Sequence, residues 1–411
     1  MSGLIADTGE HRLIRQSAAA IAARYGHAYY AERARNGGNI AELWQDLGQA
    51  GLLGVHLPAE YGGGGAGLSE LVVVTEELAA HGLPLLIAVI SPAICGSILA
   101  VHAAQEMKAA WLPGLADGTR RMAFALTEPD AGSNSHNVST TARRTEAGWA
   151  ITGGKYYISA VDECEALLLV ARDASGPDDG GPDDGGPDDG GPDDGGPDDG
   201  GMANGRSRLS LFIVPAAAPG LTLQPIPTAL ISPDRQFTVF LDDVRVAEDA
   251  LIGVAGQGLR QVFAGLNPER ILAAALCNGV GRYAIAKAAD YARQRKVWSE
   301  PIGAHQGIAH PLAQAHVHVE LARLATARAA ELFDAGQDAA EAANIAKLAA
   351  ADAALTALDQ SIQTHGGNGL ALEYGLADLW FVTRLMRTAP VSREMVLNFV
   401  ATHSLGLPPS Y

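Results

Sequence analysis

Four histidines lie close together in one stretch of the chain and are the first candidates for metal chemistry. They are His305, His310, His316 and His318. No two of them have the i, i+4 spacing that puts paired ligands on one helix face, and no cysteine or glutamate completes a tetrahedral set. The sequence therefore predicts no metal site among them.

One glycine motif could in principle bind a nucleotide. The stretch Gly279-Val-Gly-Arg-Tyr-Ala284 formally matches a dinucleotide-binding fingerprint. Because no strand precedes it, small residues for close helix packing are the better interpretation. Neither a G-x-S-x-G nucleophile elbow nor a Walker A sequence occurs, so the commonest hydrolase and ATPase signatures are absent from this sequence.

Five tandem Gly-Pro-Asp-Asp-Gly units occupy residues 176–200. Proline, glycine and repelling carboxylates cannot bury enough apolar area to offset the entropy of ordering, so a disordered loop over 176–201 is predicted. Aspartate clusters also bind Ca²⁺. However, the spacing here matches neither the EF-hand loop nor the glycine-rich nonapeptide repeat.

The composition favours a globular protein that acts on a small molecule. Of 411 residues, 48% are hydrophobic and 18% charged, too apolar for disorder and too long for a single core. Ten aspartates of the repeat account for most of the net charge of −17, and the remainder carries −7, which argues against nucleic-acid binding. Three scattered cysteines fit a reducing compartment, and residues 1–15 resemble neither a secretory nor a transit peptide, so a cytoplasmic location is expected.

One uncharged stretch, Leu83–Val101, approaches the length of a membrane span. Prolines and small polar residues interrupt it, and no asymmetry of flanking lysine and arginine accompanies it. We expect a pair of buried core helices broken at Pro92 and no membrane span.

Three regions must position any chemistry. Apolar residues recur at helical spacing from Leu13 to about Gly118, short β-rich runs follow from Met122 to about Val246, and helical periodicity returns from about Gly258 to His403. The predicted strands are Met122–Leu126, Gly148–Ile151, Lys155–Ser159, Ala166–Ala171, Leu209–Val214 and Phe237–Phe240. The predicted long helices are Arg270–Arg295, Ala309–Asp334 and Ala339–Gln363. The strands suggest a barrel or sandwich, and the short loops between the long helices suggest an antiparallel bundle.

Four further motifs occur one after another along the chain. They are Ala125-Leu-Thr-Glu-Pro-Asp-Ala-Gly-Ser133, Lys155-Tyr-Tyr-Ile-Ser159, Arg295-Lys-Val-Trp-Ser-Glu-Pro-Ile-Gly303 followed by His305-Gln306, and Gln363-Thr-His-Gly-Gly-Asn-Gly369. In this order they resemble the signatures of the acyl-CoA dehydrogenase family of flavoproteins. The similarity extends from Tyr61-Gly-Gly to the Leu405-Gly-Leu-Pro408 tail, and only the aspartate-rich repeat has no counterpart in it.

This resemblance implies an α+β multidomain fold. An N-terminal helical domain would cover residues 1–120, a middle β-barrel domain 121–247, and a C-terminal four-helix bundle 248–411. The helical, β-rich, helical order obtained from the residues agrees with this division. The resemblance further implies a homotetramer or homodimer, an acyl-CoA substrate, and an electron-transfer flavoprotein as electron acceptor.

The resemblance also implies FAD, held between the barrel and the bundle. The residues expected to line the flavin ring and pyrophosphate are Phe124, Leu126, Thr127 and Ser133, and those expected to stack on and hydrogen-bond the ring are Tyr157 and Ser159. The residues expected to hold the pyrophosphate and adenosine end across a subunit contact are Arg295, Gln306, Gln363, Gly366 and Gly367. A guanidinium can bind a diphosphate bidentately, and glycine lets the backbone approach it closely.

The implied reaction oxidises an acyl-CoA thioester to the 2,3-enoyl-CoA. A base removes the α proton while hydride leaves the β carbon, and a carboxylate in an apolar pocket suits this task because burial raises its pKa toward neutrality. Many family members place that glutamate late in the bundle, where this chain has Ala389 or Pro390. Members similar to isovaleryl-CoA dehydrogenase place it earlier, in a segment corresponding to Gly265-Leu-Asn-Pro-Glu-Arg270.

Glu269 is therefore the predicted catalytic base, with Asn267 and Arg270 facing the CoA arm. The alternative interpretation makes Glu269 a first-turn carboxylate on a helix opened by Pro268, where the helix dipole alone favours it. Glu394 is the fallback candidate for the acid.

Two departures from the family pattern lie near the implied site. The backbone N–H at the late glutamate position helps polarise the thioester carbonyl in the family; this donor is retained if Ala389 holds the position and lost if Pro390 does. Trp298 and Ser299 replace the usual Phe-Gly after the Arg295 motif, beside an expected flavin contact.

Two other functions stay open at this point. A flavin monooxygenase or nitrosynthase-like relative on the same fold would use reduced flavin and oxygen without a base. Pro390 is compatible with that function, whereas Glu269 disfavours it. A non-catalytic family member would keep only the fold, and the largely intact flavin-contact residues argue against it.

Overall fold

The computed structural model describes residues 4–5, 7–174 and 209–409. Helices come first, a sheet follows, and helices complete the chain. The predicted repeat loop at 176–201 lies outside the described residues. The domain boundaries at 120/121 and 247/248 stay a prediction. The chain changes from helix to sheet between Asp117 and Met122, and back to helix between Ile252 and Gly258.

Six α-helices form the first region, counted over its described residues. They are α1 (Gly9–Asn36), α2 (Ala41–Gln49), α3 (Leu68–Ala80), α4 (Leu86–Ala88), α5 (Ser97–His102) and α6 (Gln105–Asp117). Helix α1 is capped by Thr8, whose hydroxyl accepts a hydrogen bond from the His11 N–H at 3.1 Å. It kinks at Gly26, whose φ of 66° no ordinary helical residue adopts.

From Leu86 onward, the uncharged stretch forms one continuous helical run. Between α4 and α5 the residues Val89–Gly96 are π-helical, and this part is called the π segment below. The predicted break at Pro92 is wrong. In an α-helix a proline lacks the N–H for the backbone hydrogen bond, and its ring clashes with the carbonyl four residues earlier. The wider π turn accommodates the proline ring, so the helical run continues through Pro92. Among the described helices, none combines the length and apolar character needed to cross a bilayer.

In the described part of the chain, eight strands form one mixed sheet. They are β1 (Met122–Ala125), β2 (Thr141–Thr145), β3 (Gly148–Ser159), β4 (Ala166–Asp173), β5 (Leu209–Pro215), β6 (Leu221–Ile226), β7 (Gln236–Val246) and β8 (Leu251–Ile252). The strand order is β6-β7-β3-β2-β4-β5-β8, and β1 pairs in parallel with β4.

The sheet is open, so the predicted barrel is not confirmed. Among the described residues β6 pairs only with β7, and β8 is a two-residue strand that pairs only with β5. Two predicted strands, Gly148–Ile151 and Lys155–Ser159, are halves of β3. Strands β2 and β6 were not predicted. Two arginines in β2 and a proline in β6 interrupt the alternation of apolar residues by which strands are recognised in a sequence.

Three long helices dominate the last region. They are α7 (Gly258–Gln294), α8 (Gln306–Asp334) and α9 (Ala340–His365), which all pack against one another, followed by the short α10 (Trp380–Leu385) and α11 (Arg393–Phe399). The fourth member of the predicted bundle is therefore a set of short helices. Gly279 lies against the Glu76 carbonyl of α3, since a Cβ there would be 2.3 Å from that oxygen, which confirms its interpretation as a packing residue.

Helix α7 runs through Pro268 and begins ten residues before it, at Gly258. The alternative interpretation, in which Pro268 opens the helix, is wrong. Burial of Val262, Gly265 and Pro268 on one helix face stabilises the helical conformation despite the hydrogen bond that proline cannot donate. Glu269 is consequently an interior residue of α7, and a first-turn role at the helix dipole does not apply to it.

A buried charge cluster ties the helices of the two helical regions together. Glu76 on α3 accepts from Arg282 of α7 at 2.8 Å and from Arg323 of α8 at 3.1 Å. Neighbouring Glu77 accepts from Arg15 of α1 at 2.8 Å. Because the two carboxylates are nearly fully buried, these guanidinium partners are needed to offset their desolvation.

Candidate active site

The first half of α7 lies directly against the π segment. A Cβ at Gly265 would lie 2.9 Å from both Ile94 Cγ2 and the Ile94 carbonyl oxygen, so only glycine permits this approach. The carboxyl group of Glu269, one turn further along α7, acts electrostatically on the buried thiol of Cys95 in the π segment. Glu269 therefore occupies the apolar boundary between these two elements.

The environment of the Glu269 carboxyl group gives it the properties of a base at neutral pH. Part of the residue is exposed, but desolvation of the carboxyl dominates and raises its pKa to about 7, while Arg270 and Lys347 oppose the rise. A carboxylate with a pKa near the working pH can both accept and release a proton. The geometry thus supports the role predicted from the sequence.

Asn267 and Arg270 lie on the same part of α7. The Arg270 Nη1 donates to Asn267 Oδ1 at 2.9 Å, so one side chain orients the other. Burial lowers the pKa of Arg270, and the Glu269 carboxylate partly restores it. The guanidinium keeps further donors that an anionic or carbonyl group could use.

The late segment Ala389–Val391 does not supply the expected backbone donor. The Ala389 N–H donates to the Leu385 carbonyl at 2.9 Å, and Pro390 has no N–H. Of the two alternatives for the late glutamate position, Ala389 has its N–H already bonded to the last turn of α10, and Pro390 has no N–H to offer. The Val391 carbonyl accepts a hydrogen bond from Lys347 Nζ.

Glu394 lies elsewhere, on a polar cavity of about 380 Å³. The cavity is lined by Asp352, Arg384, Arg387, Thr388, Ser392, Arg393 and Glu394. Three guanidinium groups face two carboxylates there, which suits an anionic group more than proton abstraction from carbon. Glu394 is exposed, and its carboxyl group lies among charged side chains and not in an apolar pocket.

The predicted flavin-ring residues gather where β1 meets β3. Phe124 and Leu126 pack into the same hydrophobic cluster as the π segment and Leu266 of α7. The Thr127 carbonyl accepts from the Tyr156 N–H at 2.8 Å. These contacts place the predicted ring-binding strand beside the helix that carries Glu269.

The remaining members of this group have polar groups at or near the surface. Ser133 is exposed, and a Cβ on neighbouring Gly132 would meet nothing within 4 Å. Ser159 is partly buried, and its hydroxyl donates to Gln236 Oε1 at 3.0 Å. An open backbone at Gly132 and an exposed hydroxyl at Ser133 fit the close approach of a phosphate group.

Tyr157 has an unusual backbone that presents its ring. Its φ is 58°, a left-handed conformation rare for an aromatic residue, and it lies at a bulge in the pairing of β3 with β7 between Lys155 and Ile158. The side chain is 53% exposed although it belongs to a strand. Such strain persists where a site requires it, and an exposed ring is suited to stack on a planar cofactor.

A buried ion pair, which sequence reasoning did not single out, supports this corner of the site. Lys155 Nζ donates to Glu128 Oε1 at 2.7 Å and to the Leu126 carbonyl at 3.0 Å. Burial alone would raise the pKa of Glu128, but Lys155 and the donors of Ser139 and Thr140 outweigh it and lower that pKa. Glu128 lies in the motif Ala125–Ser133 and Lys155 in the motif Lys155–Ser159. A lysine followed directly by aromatic residues within a predicted strand was the sequence feature that could have indicated this buried ion pair.

The second group of predicted cofactor residues lies at the other end of α7. Arg295, Gln306, Gln363, Gly366 and Gly367 are all exposed around the ends of α7, α8 and α9. Gly366 has a φ of 59°, and a Cβ on Gly366 or Gly367 would meet nothing within 4 Å, so the glycine turn forms an open cradle. The donor set and the open backbone fit a diphosphate and its nucleoside.

Within one chain, the predicted flavin-ring residues near β1 and β3 lie far from the predicted diphosphate-binding residues at the ends of α7, α8 and α9. Arg295 follows Glu269 by 26 residues, nearly all of them in α7, and at about 1.5 Å per residue the two lie roughly 39 Å apart along the helix. The structure therefore assembles the predicted residues into two separate half-sites within each chain.

The four histidines of the sequence lie near the start of α8 and along it. Among the residues that the structure describes, no three histidine, cysteine, aspartate or glutamate side chains converge there in a way that could hold an ion. His318 instead contacts Gln314 at 2.8 Å along α8.

Lys347 is the most consequential residue that sequence reasoning missed. It is 2% exposed, on the face of α9 that points into the protein together with Ala343 and Ala350. In the sequence, Lys347 has alanines four residues before and three residues after it, on the apolar face of the predicted helix. This pattern could have indicated that the lysine is buried.

Known families match most of the chain. The N-terminal domain family of the acyl-CoA dehydrogenases matches residues 8–119, the middle domain family 123–185 and the C-terminal domain family 256–405. The chain therefore belongs to the acyl-CoA dehydrogenase family. The identity predicted from the four motifs is confirmed, together with the enzyme class and the flavin cofactor. The monooxygenase and non-catalytic alternatives are not favoured.

Individual relatives agree with this assignment. The chain is 52% identical over 407 residues to the acyl-CoA dehydrogenase FadE12 of Mycobacterium tuberculosis, covering 98% of each protein. It is 31% identical to an acyl-CoA dehydrogenase of Bacillus subtilis, covering 86% of this chain and 85% of that protein. Its fold is similar to that of a glutaryl-CoA dehydrogenase from Mycobacterium smegmatis solved with FADH2, with a TM-score of 0.86, 22% identity, and coverage of 98% and 97%.

Proposed function

We propose that this protein oxidises an acyl-CoA thioester to the 2,3-enoyl-CoA with Glu269 as the catalytic base. The observation that carries the proposal is the position of Glu269, one turn after the close contact of Gly265 with Ile94 between α7 and the π segment, where desolvation raises its pKa to about 7. A general base needs this balance between basicity and ionisation. The family to which the chain belongs supports the reaction class.

The chain's own residues would act as follows. Glu269 removes the α proton of the acyl group, and its carboxylate becomes neutral. FAD, when bound, accepts the hydride that leaves the β carbon. Asn267 and Arg270, bonded to each other, orient the CoA arm over α7. Packing of α7 against the π segment partly buries the carboxyl group, and this desolvation raises its pKa.

Two copies of the chain would complete each cofactor site. Phe124, Leu126, Thr127, Ser133, Tyr157 and Ser159 of one copy would hold the flavin ring, and Arg295, Gln306, Gln363, Gly366 and Gly367 of another would hold the diphosphate and nucleoside. The separation of the two half-sites along α7 supports this arrangement. The assembly would be a homodimer or homotetramer.

The exposed apolar surface supports the same assembly. Val297 and Trp298, beside Arg295, are 57% and 80% exposed. Val317, Leu321 and Leu324 form an exposed stripe at i, i+4 and i+7 along α8. A second copy of the chain would bury these residues, as self-association of an apolar face requires.

The proposal includes an electron-transfer flavoprotein as electron acceptor and a cytoplasmic location. One structural neighbour, with a TM-score of 0.86 at 23% identity, comes from work on the electron transferring flavoprotein of Acidaminococcus fermentans. An acceptor protein would reoxidise the flavin once the enoyl-CoA has formed.

Anaerobic titration with a panel of acyl-CoAs tests the reaction and the base together. The wild-type flavin should bleach with at least one acyl-CoA, and the Glu269→Gln variant should bleach about 10² to 10⁴ times more slowly while keeping its FAD. Glu394→Gln is the matched control and should stay within a few-fold of the wild type. Absence of bleaching with every acyl-CoA would refute the reaction, and full activity of Glu269→Gln would refute the base.

A further inference from the structure

The glycine turn that follows α9 contains a single polar side chain. Its sequence is Gly366-Gly-Asn-Gly-Leu370, and its backbone forms one short 3₁₀ segment. A Cβ at Gly369 would lie 2.4 Å from the Ile362 carbonyl oxygen, so the turn folds back closely on the end of α9. Glycine backbones lose much conformational freedom when they are ordered, so a turn this rich in glycine needs contacts outside itself to keep one geometry.

Asn368 is the polar residue, and it connects the turn to two tyrosines. Its Nδ2 donates to the hydroxyl oxygen of Tyr291 at 3.2 Å and to that of Tyr374 at 3.0 Å. An amide nitrogen carries two hydrogens, and both are used here. Tyr291 belongs to the last turn of α7, and Tyr374 follows the glycine turn in the chain. The Asn368 side chain therefore joins the glycine turn to the end of α7.

Aromatic packing reinforces the same connection. His365, the last residue of α9, stacks on Tyr291 with ring centroids 4.3 Å apart. The Tyr374 ring packs edge-on against His365 at 5.4 Å and against Tyr291 at 6.0 Å. Lys287 Nζ of α7 also donates to the Tyr374 carbonyl at 2.5 Å. The group Tyr291, His365, Asn368 and Tyr374 is called the aromatic junction below.

The aromatic junction lies between the two motifs that would hold the diphosphate. The Arg295 N–H donates to the Tyr291 carbonyl at 2.8 Å, and Asn368 directly follows Gly367. Arg295 and Gly367 are far apart in the chain, so their spacing depends on how the end of α7 meets the glycine turn. A guanidinium and an open glycine backbone can bind one diphosphate together only if this spacing matches the length of the ligand.

We propose that the aromatic junction is a set of positioning residues that hold the glycine turn at a fixed distance from Arg295 and so pre-organise this half-site for the diphosphate of FAD. The inference rests on the proposed cofactor role of Arg295, Gly366 and Gly367. The junction acts through the turn and does not itself contact the cofactor. When the turn loses a restraint, the binding-competent geometry is less populated, and the apparent Kd for FAD rises in proportion.

Dissociation of FAD from the purified holoenzyme, measured on dilution from the fluorescence of the released flavin, tests this proposal. Asn368→Ala removes both hydrogen bonds and should raise the Kd for FAD about tenfold. Tyr291→Phe and Tyr374→Phe each remove one hydroxyl but keep the ring, and each should raise the Kd about threefold. Tyr25→Phe is the matched control, because its hydroxyl donates to Asp46 between α1 and α2, and its loss should leave the Kd unchanged.

A double variant separates positioning from direct contact with the cofactor. Both hydroxyls act through Asn368, so adding Tyr291→Phe to Asn368→Ala should raise the Kd no further. An additive increase would show that the two residues contribute separately and would overturn the proposal. A wild-type Kd in Asn368→Ala would overturn it as well. If that variant lost only melting temperature, the junction would be a structural support alone.

The remaining measurements distinguish this proposal from the cofactor assignment and from failure to fold. Tyr291→Phe and Tyr374→Phe keep the packed rings, so they carry the comparison if Asn368→Ala does not fold, and a wild-type Kd in both would then overturn the proposal. Arg295→Ala tests the half-site itself, and an unchanged Kd there would refute the cofactor role of Arg295. A raised Kd in Arg295→Ala beside a wild-type Kd in Asn368→Ala would refute the aromatic junction alone.

Discussion

At the scale of single residues, two opposed effects act on the Glu269 carboxyl group. Desolvation raises its pKa from the ordinary value of 4.5, and the positive charges of Arg270 and Lys347 lower it, with a net value of about 7. Flavin reduction should therefore slow on acidification through pH 7, as Glu269 becomes protonated. The same shift means that the ionised carboxylate destabilises the folded protein.

Glu269→Gln should therefore melt at a higher temperature than the wild type at pH 8. Because the folded-state pKa lies above the unfolded one, the destabilisation is complete above pH 7 and disappears as the pH falls through about 4.5. We expect a difference of about 2 to 4 °C at pH 8, smaller at pH 5. Scanning calorimetry at both pH values measures it, and equal melting temperatures at pH 8 would show a solvated carboxyl group.

At the scale of elements, α7 organises the site. It contacts the π segment through Gly265, carries Glu269 one turn later, and packs along α9. These contacts come from elements far apart in the sequence. Any change in the distance between α7 and the π segment should alter the desolvation of Glu269.

Gly265→Ala tests this contact. Alanine is the better helix former by about 1 kcal/mol, but its methyl group would lie 2.9 Å from Ile94, and overpacking of this kind destabilises by about 1 to 3 kcal/mol. We expect a lower free energy of unfolding in urea and slower flavin reduction. Gly307→Ala, at a position in α8 with nothing within 4 Å, should leave stability unchanged or raise it. A Gly265→Ala protein as stable as the wild type would contradict the close contact.

At the scale of the whole molecule, the two half-sites of one chain point to cofactor sites shared between copies. Arg295→Ala and Glu269→Gln chains should each be inactive alone. When they are co-expressed, a mixed dimer contains one site with both residues intact, so roughly a quarter of all sites should recover activity. Flavin retention by the mixture gives a second measurement. Failure to recover any activity in isolated mixed dimers would place both residues in the site of a single chain.

Local features of the sequence determined much of this protein. The order of helical and β-rich regions, the long helices and most strand positions follow from apolar periodicity, which depends on neighbours within a few residues. The four motifs were sufficient for the family and its flavin. They also directed attention to Glu269, although sequence spacing alone could equally make it a first-turn carboxylate.

The tertiary structure decided what spacing along the chain does not specify. Burial stabilises α7 through Pro268, and the sheet is open where a barrel was predicted. The N–H of Ala389 donates to the Leu385 carbonyl at the end of α10. Lys347 is 78 residues from Glu269 in the chain but shares its electrostatic environment. Desolvation and Coulomb energies depend on distances in space, and only the packing of α7 against α9 and the π segment establishes those distances.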